Sequence, residues 1–367
     1  MAFDLRAHMQ PAFLETRPAS KRDYRSVLNL SSNELHHPAA EAFLQDFMAR
    51  QPPEAFTRYP YFPEAVDAVA AHHGLSPQQV LLSAGSDDAI RMLLHMLAGA
   101  TGRLLLHWPN YANYETYARG RGLRIHYVTY ARQSPARQLE SLLAAVQAQP
   151  PSLVVLSNPN GFTGECLPLE DVGRLAEACE RLNHVLLVDE AYAAFAGIDH
   201  LALLPRARNL LVLRSYSKSF GSAGLRLACL FAHPELIDYV SRWKAVNSVS
   251  APALNYLLHC LRNAAFFGQI HQDIIQARTW FARELRRSSP DWTVLASSGN
   301  FLLVDTGRQE ALRACVRQLA ERSIIVKELE HGPGWEACFR ITVGHQPLME
   351  HVLEQLRRAD GSEEMSS

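Results

Sequence analysis

The stretch Ser215-Tyr-Ser-Lys218-Ser-Phe-Gly-Ser-Ala-Gly224-Leu-Arg226 stands at the end of a strand-length apolar run, Asn209–Tyr216. An amine, hydroxyls and a guanidinium crowd into a short segment where the chain leaves a buried element. Outward from it, Leu-, Val- and Ile-rich runs recur at Arg103–Trp108, Leu123–Tyr130, Leu153–Ser157, His184–Asp189 and Leu227–Ala232, separated by helix-like stretches. Parallel neighbours need crossover connections, so this alternation predicts an α/β domain around a mostly parallel sheet.

Lys218 fits a particular task. An amine held at a strand's end can have its pKa lowered by desolvation, which suits it to form a Schiff base with an aldehyde. Ser215 and Ser217 can donate hydrogen bonds to a phosphate, and Arg226 can grip two of its oxygens. An aldehyde that carries a phosphate is pyridoxal 5′-phosphate. A solvated lysine in a polar turn explains an isolated Ser-Lys pair as well, so the weight falls on two further elements.

Val188-Asp189-Glu-Ala-Tyr192 places an acid at another strand's C-terminal end, where open α/β sheets bind their ligands. A carboxylate there keeps a pyridine nitrogen protonated, and Tyr192 can donate to the ring's 3-oxygen. Gly85-Ser86-Asp87-Asp88 opens a helix whose Ile90, Leu93, Leu94 and Leu97 recur at helical spacing. Ser86 or Asp87 is expected to cap it and Gly99 to stop it. Its free N-terminal amides make an anion site for the phosphate. The two Asp side chains are expected to face helix amides or solvent, leaving Arg226 to balance the charge.

The 367-residue chain has 36 basic and 37 acidic residues, a net charge of −1, so no global positive field draws nucleic acid or anionic lipid. No apolar run is long enough to span a bilayer. The start, with charges at Asp4, Arg6, Glu15 and Arg17, does not read as a secretory signal, and a cytoplasmic protein is expected. Six cysteines, at 166, 179, 229, 260, 315 and 338, lack metal-type spacing and are expected to be reduced and mostly buried, with no metal. The pairs His36-His37 and His72-His73 read as solvated surface. Helical structure is expected from Pro234 to about Phe267, broken near Ser248–Pro252, and later strands at Phe301–Val304, Ile324–Val326 and Cys338–Val343. The expected division is an N-terminal arm with part of the small domain over 1–45, a large α/β domain over 46–262, a smaller α+β domain over 263–359 and a disordered tail over 360–367.

Together with Arg58-Tyr59-Pro60, Trp108-Pro-Asn-Tyr111, Asn158-Pro-Asn-Gly-Phe-Thr-Gly164 and Phe339-Arg340-Ile-Thr-Val-Gly344, these elements run in order from about residue 28 to 350. They resemble the fold-type I pyridoxal-phosphate aminotransferases of class I and II, most closely the histidinol-phosphate aminotransferase branch. The resemblance implies a large domain with a mostly parallel sheet of the seven-stranded type and a smaller α+β C-terminal domain. It implies that Lys218 holds the cofactor and then shuttles a proton at the substrate Cα, that Asp189 pairs with the ring nitrogen, and that Tyr192 bonds the ring's 3-oxygen, where Asn160 could swing in as a further cofactor contact. Tyr111 would stack on the ring, and Ser86, Asp87, Asp88, Ser215, Ser217 and Arg226 would surround the phosphate. Tyr59 would reach the phosphate of a neighbouring subunit, implying a homodimer with shared sites. Arg340, Asn33 and Lys327 would meet the substrate.

The chain departs from that family at informative places. Where the loop usually reads Asn-Pro-Asn-Asn-Pro-Thr-Gly, this chain has Gly161 and Phe162, losing an amide donor to the 3-oxygen. Phe162 could instead form a substrate wall. The Arg that grips a substrate phosphate in histidinol-phosphate enzymes falls on Lys327, which keeps a charge but not the bidentate fork. The aromatic after the N-terminal Asn-Glu pair falls on Leu35. The expected activity is exchange of an amino group between an amino acid or small amine and a 2-oxo acid through the Lys218 Schiff base. A decarboxylase, lyase, cyclase or oxidase of the same fold is the alternative that Gly161 and Phe162 motivate. No Gly-x-Gly-x-x-Gly follows the first strand and no Walker loop occurs, which disfavours a nucleotide-binding enzyme.

Overall fold

The computed structural model describes residues 25–129, 135–329 and 334–360. The expected tail beyond residue 360 and the charged start before residue 25 lie outside the described residues. After a short strand β1 (Leu28–Asn29), the large sheet is built from β2 (Val80–Ser83), β3 (Arg103–His107), β4 (Arg124–Val128), β5 (Leu153–Ser157), β6 (Val185–Asp189), β7 (Leu210–Ser215) and β8 (Ala228–Ala232). Their order is β2-β8-β7-β6-β5-β3-β4. All lie parallel except β8, which is antiparallel to both neighbours.

The apolar runs explain why this sheet is central. Successive side chains point to opposite faces, so a strand covered on both sides must be apolar throughout. Val154 and Leu156 of β5 enter the core on one face, and Leu153 and Val155 enter the core on the other. β6 and β7 divide their residues in the same way. The in-register pairing Ser157↔Asp189 and Asp189↔Leu213 then brings the C-terminal ends of three strands together, with Asp189 beside the strand that leads to Lys218.

The helix after Gly85 departs from expectation at both ends. Gly85 (φ 80) precedes it without a side-chain cap from Ser86 or Asp87, and the Asp88 carboxylate instead accepts from the Ala84 amide at 3.2 Å. The helix runs Ser86–Leu93, widens through Leu94–Ala98 and continues to Thr101. Gly99 keeps a helical φ of −59, and Gly102, at φ 68, is the left-handed residue that ends it. Ile90, Leu93 and Leu94 are buried as their spacing requires.

Three helices follow β8: Pro234–Ser241, Ala251–Arg262 and Ala264–Ser288. Ser250 caps the second by accepting from the Ala253 amide. Beyond them come β9 (Thr293–Val294), β10 (Phe301–Asp305), β11 (Ile324–Ile325), β12 (Lys327–Glu328) and β13 (Cys338–Thr342). β12-β13-β10-β9 make an antiparallel sheet, while β11 pairs with β1. One face of the antiparallel sheet, with Leu302, Val304, Phe339 and Ile341, joins the main core. The other face carries Leu303 and Cys338 into a small separate cluster with Phe162, Leu329 and Trp335. The cysteines are free, five of them buried. No described helix is long and apolar enough to cross a membrane.

Candidate active site

Lys218 lies in the helical turn Tyr216–Ser219 that β7 feeds directly. Its Nζ donates to the carbonyl of Ser32 at 2.6 Å. Burial pushes its pKa down to about 8, against the pull of Glu34 and with help from Arg340 and Arg226. A substantial fraction of this amine is therefore neutral near pH 7–8, the form that attacks a carbonyl.

Asp189 ends β6 and is buried. Desolvation raises its pKa to about 6, although its carboxylate accepts from the Tyr114 hydroxyl at 2.9 Å and the Ala191 amide at 3.1 Å. Tyr114 is the residue that sequence reasoning missed. It stands one helical turn past Tyr111, fully buried in the helix Ala112–Gly120, and a buried tyrosine needs a partner for its hydroxyl. That requirement was the available signal.

At the opposite end of the site, Gly85 opens the Ser86 helix against Arg226. A Cβ on Gly85 would fall 2.5 Å from the Arg226 Nη2, so only glycine permits this approach. Arg226 itself holds a left-handed φ of 54. Its guanidinium donates to Asp87 at 3.4 Å and to the Ala223 carbonyl at 3.2 Å. The sequence leads to the expectation that Asp87 faces helix amides or solvent, and the structure corrects this. Asp87 accepts from Asn113 at 2.8 Å and from the Tyr111 hydroxyl at 3.4 Å, because Arg226 and these donors converge on it from the site's rim. Ser86 is half-buried at the helix start. Ser215 caps the lysine's turn by accepting from the Ser217 amide, and both serines are buried.

The N-terminal segment threads the site together. Asn33, buried at φ 55, donates from Nδ2 to the Tyr192 hydroxyl oxygen at 2.9 Å. That leaves the Tyr192 proton free for another acceptor. Arg340 on β13 donates to the carbonyls of Ser31 at 2.8 Å and Gly161 at 2.5 Å, while its buried Nε has no hydrogen-bond partner. Lys327 lies directly across from Arg340 in the β12–β13 register, exposed at the sheet edge.

Several expected residues lie elsewhere or act differently. Asn160 turns inward: its amide donates to the Pro109 carbonyl at 2.8 Å and contacts His107, and its oxygen accepts from the Phe162 and Thr163 amides. It therefore folds the loop and has no hydrogen-bonding capacity left for a ligand at the ring's edge. Gly161 is required by Tyr192, whose Cε2 would lie 2.7 Å from a Cβ there. Leu35 packs into the core rather than the site. Tyr59 is 85% exposed on the surface and reaches no site residue within its own chain. Of the histidine pairs, His72 is exposed as expected, whereas His36, His37 and His73 are partly buried. His37 caps the helix Pro38–Ala49, and burial lowers the pKa of His73 to about 4. No metal-binding cluster of His, Cys, Asp or Glu occurs among the described residues.

The donor set suits pyridoxal 5′-phosphate. A neutralisable amine, a buried acid, a free tyrosine proton, and an anion cradle that a Cβ would fill stand at the ends of adjacent strands.

The profile of the family described as aminotransferase class I and II matches residues 25–356. The histidinol-phosphate aminotransferase of Syntrophotalea carbinolica is 30% identical, covering 91% of this chain and 93% of its own. Among solved structures, the histidinol-phosphate aminotransferase of Sinorhizobium meliloti in complex with pyridoxal 5′-phosphate aligns with a TM-score of 0.81 at 22% identity, over 98% of this chain and 99% of that one. An L-threonine-O-3-phosphate decarboxylase from Porphyromonas gingivalis shares the fold at a TM-score of 0.77 and 18% identity, over 90% of this chain and 99% of that one.

Proposed function

This chain belongs to the class I and II aminotransferases, and from that premise we propose how its residues divide the work of a pyridoxal-phosphate-dependent transamination. An amino acid gives up its amino group and leaves as a 2-oxo acid, and a second 2-oxo acid takes that group and leaves as an amino acid. The single observation behind the assignment of roles is the convergence of Lys218, Asp189, Tyr192 and Arg226 at adjacent strand ends. When bound, the cofactor supplies an aldehyde that accepts amines and a ring that draws electrons away from the substrate Cα.

Lys218 would hold the cofactor through its amine and, once displaced by substrate, move the proton at the substrate Cα. Its depressed pKa suits a base working near neutrality. Asp189 would hold a proton at the ring nitrogen, with Tyr114 and Ala191 orienting its carboxylate. Tyr192 would donate to the 3-oxygen with the proton that Asn33 leaves free. Ser86, Asp87 and Asp88 would offer the helix's N-terminal amides to the phosphate, joined by Ser215, Ser217 and Arg226. Tyr111 would cover the ring, and Arg340 would grip the substrate carboxylate.

We also read the enzyme as a homodimer with shared sites. Phe56, Tyr59 and Tyr61 are 69%, 85% and 73% exposed within six residues, an apolar patch of the kind that marks an interface. A division into a large domain over 46–262 and a small one over 263–359 fits the seven-stranded and four-stranded sheets, and a cytoplasmic location fits the free cysteines. The same-fold decarboxylase reading is weaker, since histidinol-phosphate aminotransferases match 91% of this chain over 93% of their own length.

The test is the donor half-reaction. Yellow holoenzyme mixed with single amino acids should convert to the pyridoxamine form, and borohydride should fix the chromophore on the peptide containing Lys218. Lys218→Ala should do neither. Release of carbon dioxide without pyridoxamine formation, across all donors, would favour the decarboxylase.

A further inference from the structure

We propose that the donor's side chain is bulky and apolar, and that Phe162 and Trp335 set this preference; the proposal rests on the transaminase reading and on Arg340 as the carboxylate contact. Arg340 projects from the face of the small sheet turned away from the helices. Alternation along β13 puts Cys338 on that same face. Leu303 of β10 lies directly across from Arg340 on one side, and Lys327 of β12 on the other. The Leu329 amide donates to the Cys338 carbonyl, which continues the row.

Phe162 and Trp335 close over this face, edge to face, with ring centroids 5.7 Å apart. They form with Leu303, Leu329 and Cys338 a cluster distinct from both cores of the large sheet. Its position relative to the guanidinium is set by the backbone: Arg340 donates to the carbonyl of Gly161, the residue immediately before Phe162. Trp108 packs against the same cluster from the segment that leads to Tyr111. The cluster therefore lies beside the guanidinium that would hold the substrate carboxylate, and on this proposal the donor's side chain runs along it.

The charge around it decides the class of donor. Apart from Arg340, the described residues on this face include Lys327, exposed at the sheet's edge, and the acid Asp305 directly across from Cys338. A phosphate or carboxylate on the donor side chain would be desolvated against aromatic rings, with one exposed lysine to answer it and the Asp305 carboxylate on the same face, which is costly. An aromatic or branched aliphatic side chain gains by the same burial. Lys327 also lacks the bidentate fork that would suit a phosphorylated donor.

The experiment measures the donor half-reaction of the holoenzyme with phenylalanine and leucine against glutamate and O-phosphoserine. The apolar donors are expected to exceed the anionic ones by about a hundredfold in kcat/KM, the scale that pocket contacts achieve. Phe162→Ala and Trp335→Ala should each narrow that ratio by about tenfold, mainly through KM, and Phe162→Leu should restore most of it. A ratio within one preparation is unaffected by loss of folded enzyme. Preference for anionic donors, or a ratio unmoved in both alanine variants, overturns the proposal while leaving transamination standing. Failure of every donor to give the pyridoxamine form overturns the transaminase reading itself, and this proposal with it.

Discussion

Replacing Tyr114 with phenylalanine removes the hydroxyl that lies 2.9 Å from Asp189, with both groups buried. Asp189 has a reference pKa of 3.8 and about 6 in the fold, because burial outweighs the hydrogen bonds from Tyr114 and Ala191. The folded protein therefore binds this proton more tightly than the unfolded chain. Its contribution is most favourable at low pH, and stability falls as pH rises from about 4 through 6, by roughly 3 kcal/mol at about 1.4 kcal/mol per pH unit.

Deleting the hydroxyl takes from the ionised carboxylate a charge-assisted hydrogen bond worth ~1.5–3 kcal/mol and from the neutral acid one worth about 1 kcal/mol, and the difference should lift its pKa by roughly 0.4 to 1.5 units. Cofactor-free Tyr114→Phe should then lose about 1 kcal/mol at pH 5, where the bond is between neutral groups, and ~1.5–3 kcal/mol at pH 8. Urea unfolding at the two pH values measures this difference. Carbon-13 titration of the aspartate carboxyls should show one midpoint moving from about 6 upward. An equal loss at both pH values, with the midpoint unmoved, would refute the view that Tyr114 serves the ionised acid.

Gly161→Ala should force Tyr192 off Asn33, since the new Cβ would come 2.7 Å from the ring; a loss of ~1–3 kcal/mol in melting studies is expected, with weaker cofactor retention by visible absorbance. In cofactor-free protein, reductive labelling of Lys218 by a small aldehyde should rise through pH 8, well before exposed lysines follow; mass spectrometry of its peptide tests this, and a midpoint near 10.5 would contradict the desolvated amine. Arg214→Met should cost ~3–5 kcal/mol by leaving buried Glu190 without its partner at 2.5 Å. Burial alone would raise the Glu190 pKa, but Arg214 and His200 overcome it and hold it below the usual carboxylate range. The pair's contribution is therefore present above that range and lost as pH falls through the lowered value, so the variant's deficit should shrink in acid denaturation profiles.

The places of Lys218 and Asp189 were legible in the chain because period and composition identify strands, and strands deliver their last residues to a known edge of the sheet. The glycine at 85 and the arginine at 226 could be recognised for a related reason: local residue chemistry announces an anion cradle. The sequence by itself thus determined the α/β sheet, the cofactor's chemical class and the place of the lysine proposed to anchor it. Tertiary structure alone decided who orients these groups. Asn33 and Tyr192 are 159 residues apart, and Arg340 meets Gly161 across 179. Nothing local fixes such pairings, because they depend on how two sheets face each other. Asn160 illustrates the converse: its motif suggested a ligand contact, but four nearby backbone and side-chain groups claim its amide first. A polar side chain's identity is written in the chain, whereas its partner is chosen by whatever packing leaves otherwise unsatisfied.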